Sequence, residues 1–151
     1  KEVASDFAEA KAKSLQHRFP NHLIIGSDQA AILDQTLLDK PVSRSRAIEK
    51  LQQCSNQIVI FYTGLAVLNT QTQALRTACE TTTVRFRPLS LSQIQNYLDK
   101  EEVLDCCGSF KIEGLGISLM QSVESTDPTA LMGLPLIALC RLLKQEGLNV
   151  P

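Results

Sequence analysis

The side chains with most chemical capacity are carboxylates and lysines placed beside apolar or glycine-rich runs. Asp28 follows His22-Leu23-Ile24-Ile25-Gly26, so that Ser27-Asp28-Gln29 puts three polar groups at the exit of a short apolar strand. A carboxylate just beyond a buried strand is held by a rigid element and can still face a cleft. There it could hold a divalent cation against phosphate oxygens, or take a proton from attacking water. The alternative is an Asp that makes a local turn or capping bond. Glu113 lies between Phe110 and Gly114, in a segment where backbone can approach a ligand closely. A carboxylate only accepts hydrogen bonds and suits a partner with two neighbouring N–H donors, such as the N1–H and 2-amino edge of guanine. Each charge-assisted bond of that kind contributes about 1.5–3 kcal/mol, enough to choose among bases. A solvated Glu on a hairpin is the competing reading. Lys11 and Lys40 offer the cations a triphosphate needs, and Pro41 constrains the backbone of Lys40. Both are equally readable as exposed surface charges.

Those side chains need elements to hold them. Val3, Ala4, Phe7, Ala8 and Leu15 share one side of a helix at the start of the chain, and Pro20-Asn21 ends it. Residues 30–38 read as a small hairpin turning at Asp34-Gln35, and residues 43–54 as a helix with Ala47, Ile48 and Leu51 buried. Ile58 to Leu68 and Leu75 to Phe86 form a long hairpin across Asn69-Thr70-Gln71. Ser90-Leu91-Ser92-Gln93 is a capping box that starts a further helix. Residues 117–123 are strand-like, Asp127-Pro128 reads as a cap with Pro at the first helical position, and Gly133-Leu134-Pro135 restarts a helix. Leu136, Leu139, Cys140 and Leu143 share one side of that last helix, which Gly147 ends. The alternation predicts a single α/β domain, a mixed twisted sheet flanked by helices.

Composition limits the function classes. The chain has 151 residues, 44% hydrophobic and 21% charged, an ordinary core-forming balance. Fifteen Lys and Arg against sixteen Asp and Glu leave a net charge of −1, so no global positive field collects nucleic acid. No Trp and only two Tyr offer little for stacking single strands. No apolar run reaches the roughly 18 residues of a membrane span, and we expect a cytoplasmic protein without membrane partners. The five cysteines, Cys54, Cys79, Cys106, Cys107 and Cys140, are odd in number and form no C-x-x-C pair. Neither a disulfide frame nor a zinc site is expected, and adjacent Cys106-Cys107 reads as a redox pair or, more simply, as two small hydrophobes. The glycine run lacks the order of a P-loop or of a dinucleotide fingerprint.

Taken together, Gly26-Ser27-Asp28-Gln29, Asp39-Lys40-Pro41, Phe61-Tyr62-Thr63-Gly64-Leu65, the run from Gly108 to Gly116 and Gly133-Leu134-Pro135-Leu136 resemble the motifs of the Maf family of nucleotide pyrophosphatases. The resemblance covers essentially residues 1–151 and is nearest to the 7-methyl-GTP pyrophosphatase subgroup. It implies hydrolysis of 7-methyl-GTP between its α and β phosphates, giving 7-methyl-GMP and pyrophosphate, with a divalent metal, Mg²⁺ or Mn²⁺. It implies Asp28 as proton acceptor and metal ligand, and Lys11 and Lys40 as phosphate contacts. Lys11 here follows Ala10 where the family has Glu. Gln29 and Glu113 match positions that separate the subgroups, and Glu113 tolerates the positive charge of a 7-methylated guanine. Family analogy also suggests a homodimer.

The family opens with a strand and an S-x-S-x-R-R loop that grips the phosphates, and this sequence starts after them. We therefore expect weak or absent turnover from these 151 residues alone, and an unpaired strand edge. The second function class implied by the family is a nucleotide-binding regulator of cell division or septum formation that does not turn substrate over.

Overall fold

Small side chains decide how the first helix meets the sheet in the computed structural model, which describes residues 1–151. Helix α1 (Glu2–Ser14) buries Ala4, Ala8 and Ala12, whereas Val3, Phe7 and Leu15 of the expected stripe are exposed. A Cβ on Gly26 would lie 2.2 Å from the Ala8 carbonyl oxygen, and one on Gly64 would lie 2.2 Å from that of Ala4. Helix and strand backbones therefore touch, and the face of α1 with the least side chain is the one that fits.

Strand β1 (Leu23–Leu33) continues through Ser27, Asp28 and Gln29, so Asp28 sits inside a strand and not past its exit. The apolar run stops at Gly26, but the ladder does not, because strand β3 (Ile58–Asn69) offers small or polar Gly64 and Thr63 to Ser27 and Gln29. Asp34 and Gln35, at φ 45° and 68°, make the expected turn into β2 (Thr36–Leu38), which pairs antiparallel with residues 31–33. Positive φ at both central residues is the hairpin geometry that matches strand twist. Helix α2 (Arg44–Cys54) is capped by Ser43, whose hydroxyl accepts the Arg46 N–H. Strand β4 (Leu75–Phe86) follows a turn in which Asn69 Oδ1 accepts the Gln71 and Thr72 N–H groups. Helix α3 (Leu91–Leu98) has both bonds of the capping box between Ser90 and Gln93. Two 3₁₀ segments, Cys107–Ser109 and Leu115–Leu119, then lead to β5 (Met120–Ser125).

The strand order is β2-β1-β3-β4-β5. The Thr70 N–H donates to His22 O and the Arg87 N–H to Leu119 O, which pairs the end of one strand with the start of its neighbour. The expected α/β class is thus realised around a sheet that is antiparallel rather than mixed. Every neighbouring pair of strands is antiparallel, so no parallel crossover is needed.

The chain forms two compact units, residues 1–29 with 62–81 and 125–151, and residues 30–61 with 82–124. In the first, β3 is buried on both faces. Leu65 and Val67 pack with Ala138, Leu139, Leu142 and Leu143 of helix α4 (Leu136–Gln145), while Ala66 and Leu68 pack with Ala8, Ala12 and Ile24. That double burial is why residues 65–68 are continuously apolar instead of alternating. Each buried Leu of α4 contributes about 1.5–3 kcal/mol. Leu136 and Cys140, expected on the buried side, are exposed, because the packed face is rotated to Ala138 and Leu142. Asp127-Pro128 starts no α-helix. It leads to one 3₁₀ turn, Ala130–Met132, closed by Gly133 at φ 106°.

In the second unit α2 packs against α3. The Arg44 guanidinium donates to Leu98 O at 3.1 Å and Gln95 O at 3.4 Å and pairs with Asp99 at 2.6 Å, a cation placed at a helix C-terminus. Phe110 meets Phe61 and Phe86 edge-on, with centroids 5.4 and 5.5 Å apart. No helix is long and apolar enough to cross a membrane.

Candidate active site

Alternation along β1 sorts its polar residues onto two faces. Gly26 faces α1, so Asp28, two residues on, faces α1 as well. There Lys11 Nζ reaches Asp28 Oδ1 at 2.5 Å and Ser27 O at 3.0 Å. An ammonium group has three N–H donors, and these contacts use two, so one remains for a phosphate oxygen. The Asp28 side chain is 24% exposed and that of Lys11 57%, so a ligand can reach both. Because Lys11 takes Oδ1, Asp28 Oδ2 is the oxygen left to accept a proton or hold a cation. The contact exists because α1 lies so close to β1, which small residues alone permit.

Ser27 and Gln29 point to the opposite face. Ser27 Oγ lies 2.8 Å from Gly64 O and 2.7 Å from Gly133 O. Gln29 Nε2 donates to Thr63 Oγ1, Ala130 O and Leu131 O at 3.0–3.3 Å. Thr63, fully buried, itself donates to Ala130 O at 2.9 Å. The amide nitrogen of Gln29 is thus engaged by the protein, and Gln29 anchors the 130–132 turn. Asp28 and Gln29, neighbours in sequence, do different work on different faces.

Asp127 completes that anchor. It is 2% exposed, and its Oδ1 accepts from the Thr129 N–H and hydroxyl while its Oδ2 accepts from the Ile137 and Ala138 N–H groups. Burial alone would raise its pKa. The bonds from the Thr129 side chain and the Ala138, Thr129 and Ile137 backbones outweigh that and hold it below the ordinary value. The sequence marked Asp127 as a cap but for the wrong helix, since it serves α4 across nine residues. A hydroxyl residue inside the mostly apolar run of residues 58–68 was the signal for Thr63.

In the second unit, Lys40 is exposed beside Asp39, which pairs with Lys50. The Lys50 ammonium holds the Asp39 carboxyl below its ordinary range. After Pro41, Val42 sits at φ 53°, an uncommon conformation for a β-branched residue. Glu113 is exposed near the tip of a loop in which the Gly114 and Gly116 N–H groups both donate to Lys111 O, at 3.3 and 2.9 Å. Tyr97 and Glu101 support that loop, and sequence reading missed both. Burial pushes the Tyr97 phenol up to about 12, so it stays neutral. Burial pushes the Cys106 thiol up, and no disulfide joins any of the five cysteines.

No group of three or more His, Cys, Asp or Glu is assembled for a metal. A partly exposed lone carboxylate such as Asp28 fits a cation that keeps water and phosphate oxygens as its other ligands, the habit of Mg²⁺.

The profile of the Maf-like protein family matches residues 1–146. The chain is 51% identical over 151 residues to a protein of Hahella chejuensis named 7-methyl-GTP pyrophosphatase, covering 100% of this chain and 76% of that one. Proteins of the same name from Aliivibrio fischeri and Pseudomonas aeruginosa are 49% and 47% identical, covering 98% and 99% of this chain and 77% and 78% of theirs. With its Lys11–Asp28 pair, its turn anchored by Gln29 and Asp127, and this likeness along its length, the chain belongs to the Maf family.

Proposed function

We propose that the protein hydrolyses 7-methyl-GTP to 7-methyl-GMP and pyrophosphate and so clears a modified guanine nucleotide from the cell's pool. The observation that carries the reading is the Lys11–Asp28 contact at 2.5 Å, in a chain about half identical to three 7-methyl-GTP pyrophosphatases. Asp28 Oδ2 takes a proton from water as the water oxygen attacks phosphorus, and the α–β anhydride bond breaks with pyrophosphate leaving. Lys11 binds a phosphate oxygen with its remaining N–H, and Lys40 supplies a second cation. A divalent cation, Mg²⁺ or Mn²⁺, would be held mainly by the phosphates, with Asp28 offering it a lone pair that the proton does not use, and would offset charge on the leaving group. Glu113 accepts from the N1–H and 2-amino group of the base, and Gln29 acts by holding the 130–132 turn.

The test is a nucleotide panel with the full-length protein. Asp28→Asn should lower kcat at least about 100-fold without lowering thermal stability. Glu113→Gln, whose amide can donate to a pyrimidine's carbonyl and accept from its N–H, should shift preference from 7-methyl-GTP toward UTP and leave kcat for the better substrate nearly intact. An unchanged nucleotide ranking in Glu113→Gln would sink the assignment of base selection to Glu113.

A further inference from the structure

The loop that carries Glu113 is gripped from outside at two points. Two residues before Glu113, the Lys111 N–H donates to the Tyr97 hydroxyl at 3.0 Å. Two residues after it, the Leu115 N–H donates to Glu101 Oε1 at 3.0 Å. Tyr97 lies in the last turn of α3 and Glu101 just beyond it, and the Glu101 N–H bonds back to Tyr97 O at 3.0 Å, so both acceptors come from one stiff platform. A Cβ on Gly114 would fall 2.5 Å from Glu101 Oε1, so glycine there lets the carboxylate come in close. Upstream, Phe110 is 5% exposed and locked between Phe61 and Phe86. Inside the loop the Lys111 carbonyl ties the segment to itself. An exposed Glu side chain would ordinarily leave its backbone free to drift, and here the backbone on both sides is fixed while the carboxylate stays exposed.

We propose that Tyr97 and Glu101 are positioning residues for base selection, gripping the backbone on either side of Glu113 so that its carboxylate meets the base in one orientation. The proposal rests on the reading of Glu113 given above. Neither residue touches the nucleotide; each acts through the loop. Discrimination between bases depends on both carboxylate oxygens meeting both donors, so a loosened loop loses selectivity before it loses turnover.

The experiment measures kcat and KM of the full-length protein for 7-methyl-GTP and UTP, together with amide hydrogen exchange at Lys111 and Leu115. Tyr97→Phe removes one acceptor and Glu101→Ala the other. Each should lower the 7-methyl-GTP to UTP ratio of kcat/KM by about threefold to tenfold, mainly through KM, and speed exchange at the amide it releases. Glu101→Gln keeps an acceptor oxygen and should restore the ratio to within about twofold of wild type. In a Glu113→Gln background the same substitutions should leave the ratio where Glu113→Gln alone puts it, because they act through that carboxylate. A ratio unchanged while the amides exchange faster would overturn the proposal, as would effects that simply add to that of Glu113→Gln. A wild-type protein with no preference for 7-methyl-GTP would overturn the function reading and this proposal with it. Failure of the grip alone would show as amides that exchange equally fast in wild type and variants of a selective enzyme.

Discussion

Replacing Asp127 with Asn tests whether one buried carboxylate holds the 130–132 turn that Gln29 of β1 anchors. Its Oδ1 takes two hydrogen bonds from Thr129 and its Oδ2 takes two N–H groups at the start of α4. An amide offers one oxygen in place of two, so whichever way it turns, one side faces an NH₂ that cannot accept. Losing the two charge-assisted bonds on that side, with at least one backbone N–H left unpaired, costs about 3 kcal/mol. At 2–4 °C per kcal/mol for a chain of this size, Tm should fall by about 6–12 °C. The pH dependence gives a second arm. The folded pKa of Asp127 lies below its ordinary value of 3.8, so its stabilisation is fully present above that value and is lost as pH falls through the folded one. Urea unfolding of wild type and Asp127→Asn should therefore differ by a constant amount at neutral pH and converge below about pH 4. A loss under about 0.5 kcal/mol, or a gap that does not shrink in acid, would refute the role of these bonds.

Other expectations are simpler. Gly64→Ala should destabilise by about 3 kcal/mol or more, because its Cβ would meet the Ala4 carbonyl oxygen at 2.2 Å and α1 would have to move. Gly133→Ala meets nothing within 4 Å and should cost only about 1 kcal/mol for its left-handed backbone; equal losses in denaturant titrations would contradict the close-approach argument. In thiol labelling of the native protein, exposed Cys140 should react first and Cys54 last, since burial pushes the latter's pKa up to about 12. Rapid native labelling of Cys54 would show that the α2 face opens. Lys11→Met should raise KM for the nucleotide through loss of a phosphate contact, and steady-state kinetics with an unchanged KM would remove Lys11 from the phosphate site.

Local chemistry was legible where a signal lay within a few residues. The capping box at Ser90, the turn at Asp34-Gln35 and the hairpin between β3 and β4 all formed as their sequences imply. What failed was anything set by a distant partner. Helix α1 buries alanines because Gly26 and Gly64 bring strands against it, and no window on residues 1–15 contains those glycines. Strand β1 runs past Gly26 because residues some 35 positions away accept its polar side chains. Asp127 reads as a cap for the segment beside it, yet the open N–H groups it satisfies belong to α4. The candidate site shows the same division. Lys11, Asp28, Gln29, Lys40 and Glu113 are visible as residue types, whereas the opposite faces of Asp28 and Gln29 follow from strand alternation and the meeting of Lys11 with Asp28 from packing. Tyr97 and Glu101 carry no local mark of the loop they hold.

The product of hydrolysis tests the central chemistry most directly. ³¹P NMR of 7-methyl-GTP incubated with Mg²⁺ and the full-length protein should show 7-methyl-GMP and pyrophosphate growing together, and Asp28→Asn should abolish both. Orthophosphate with 7-methyl-GDP, or undiminished turnover by Asp28→Asn, would contradict it.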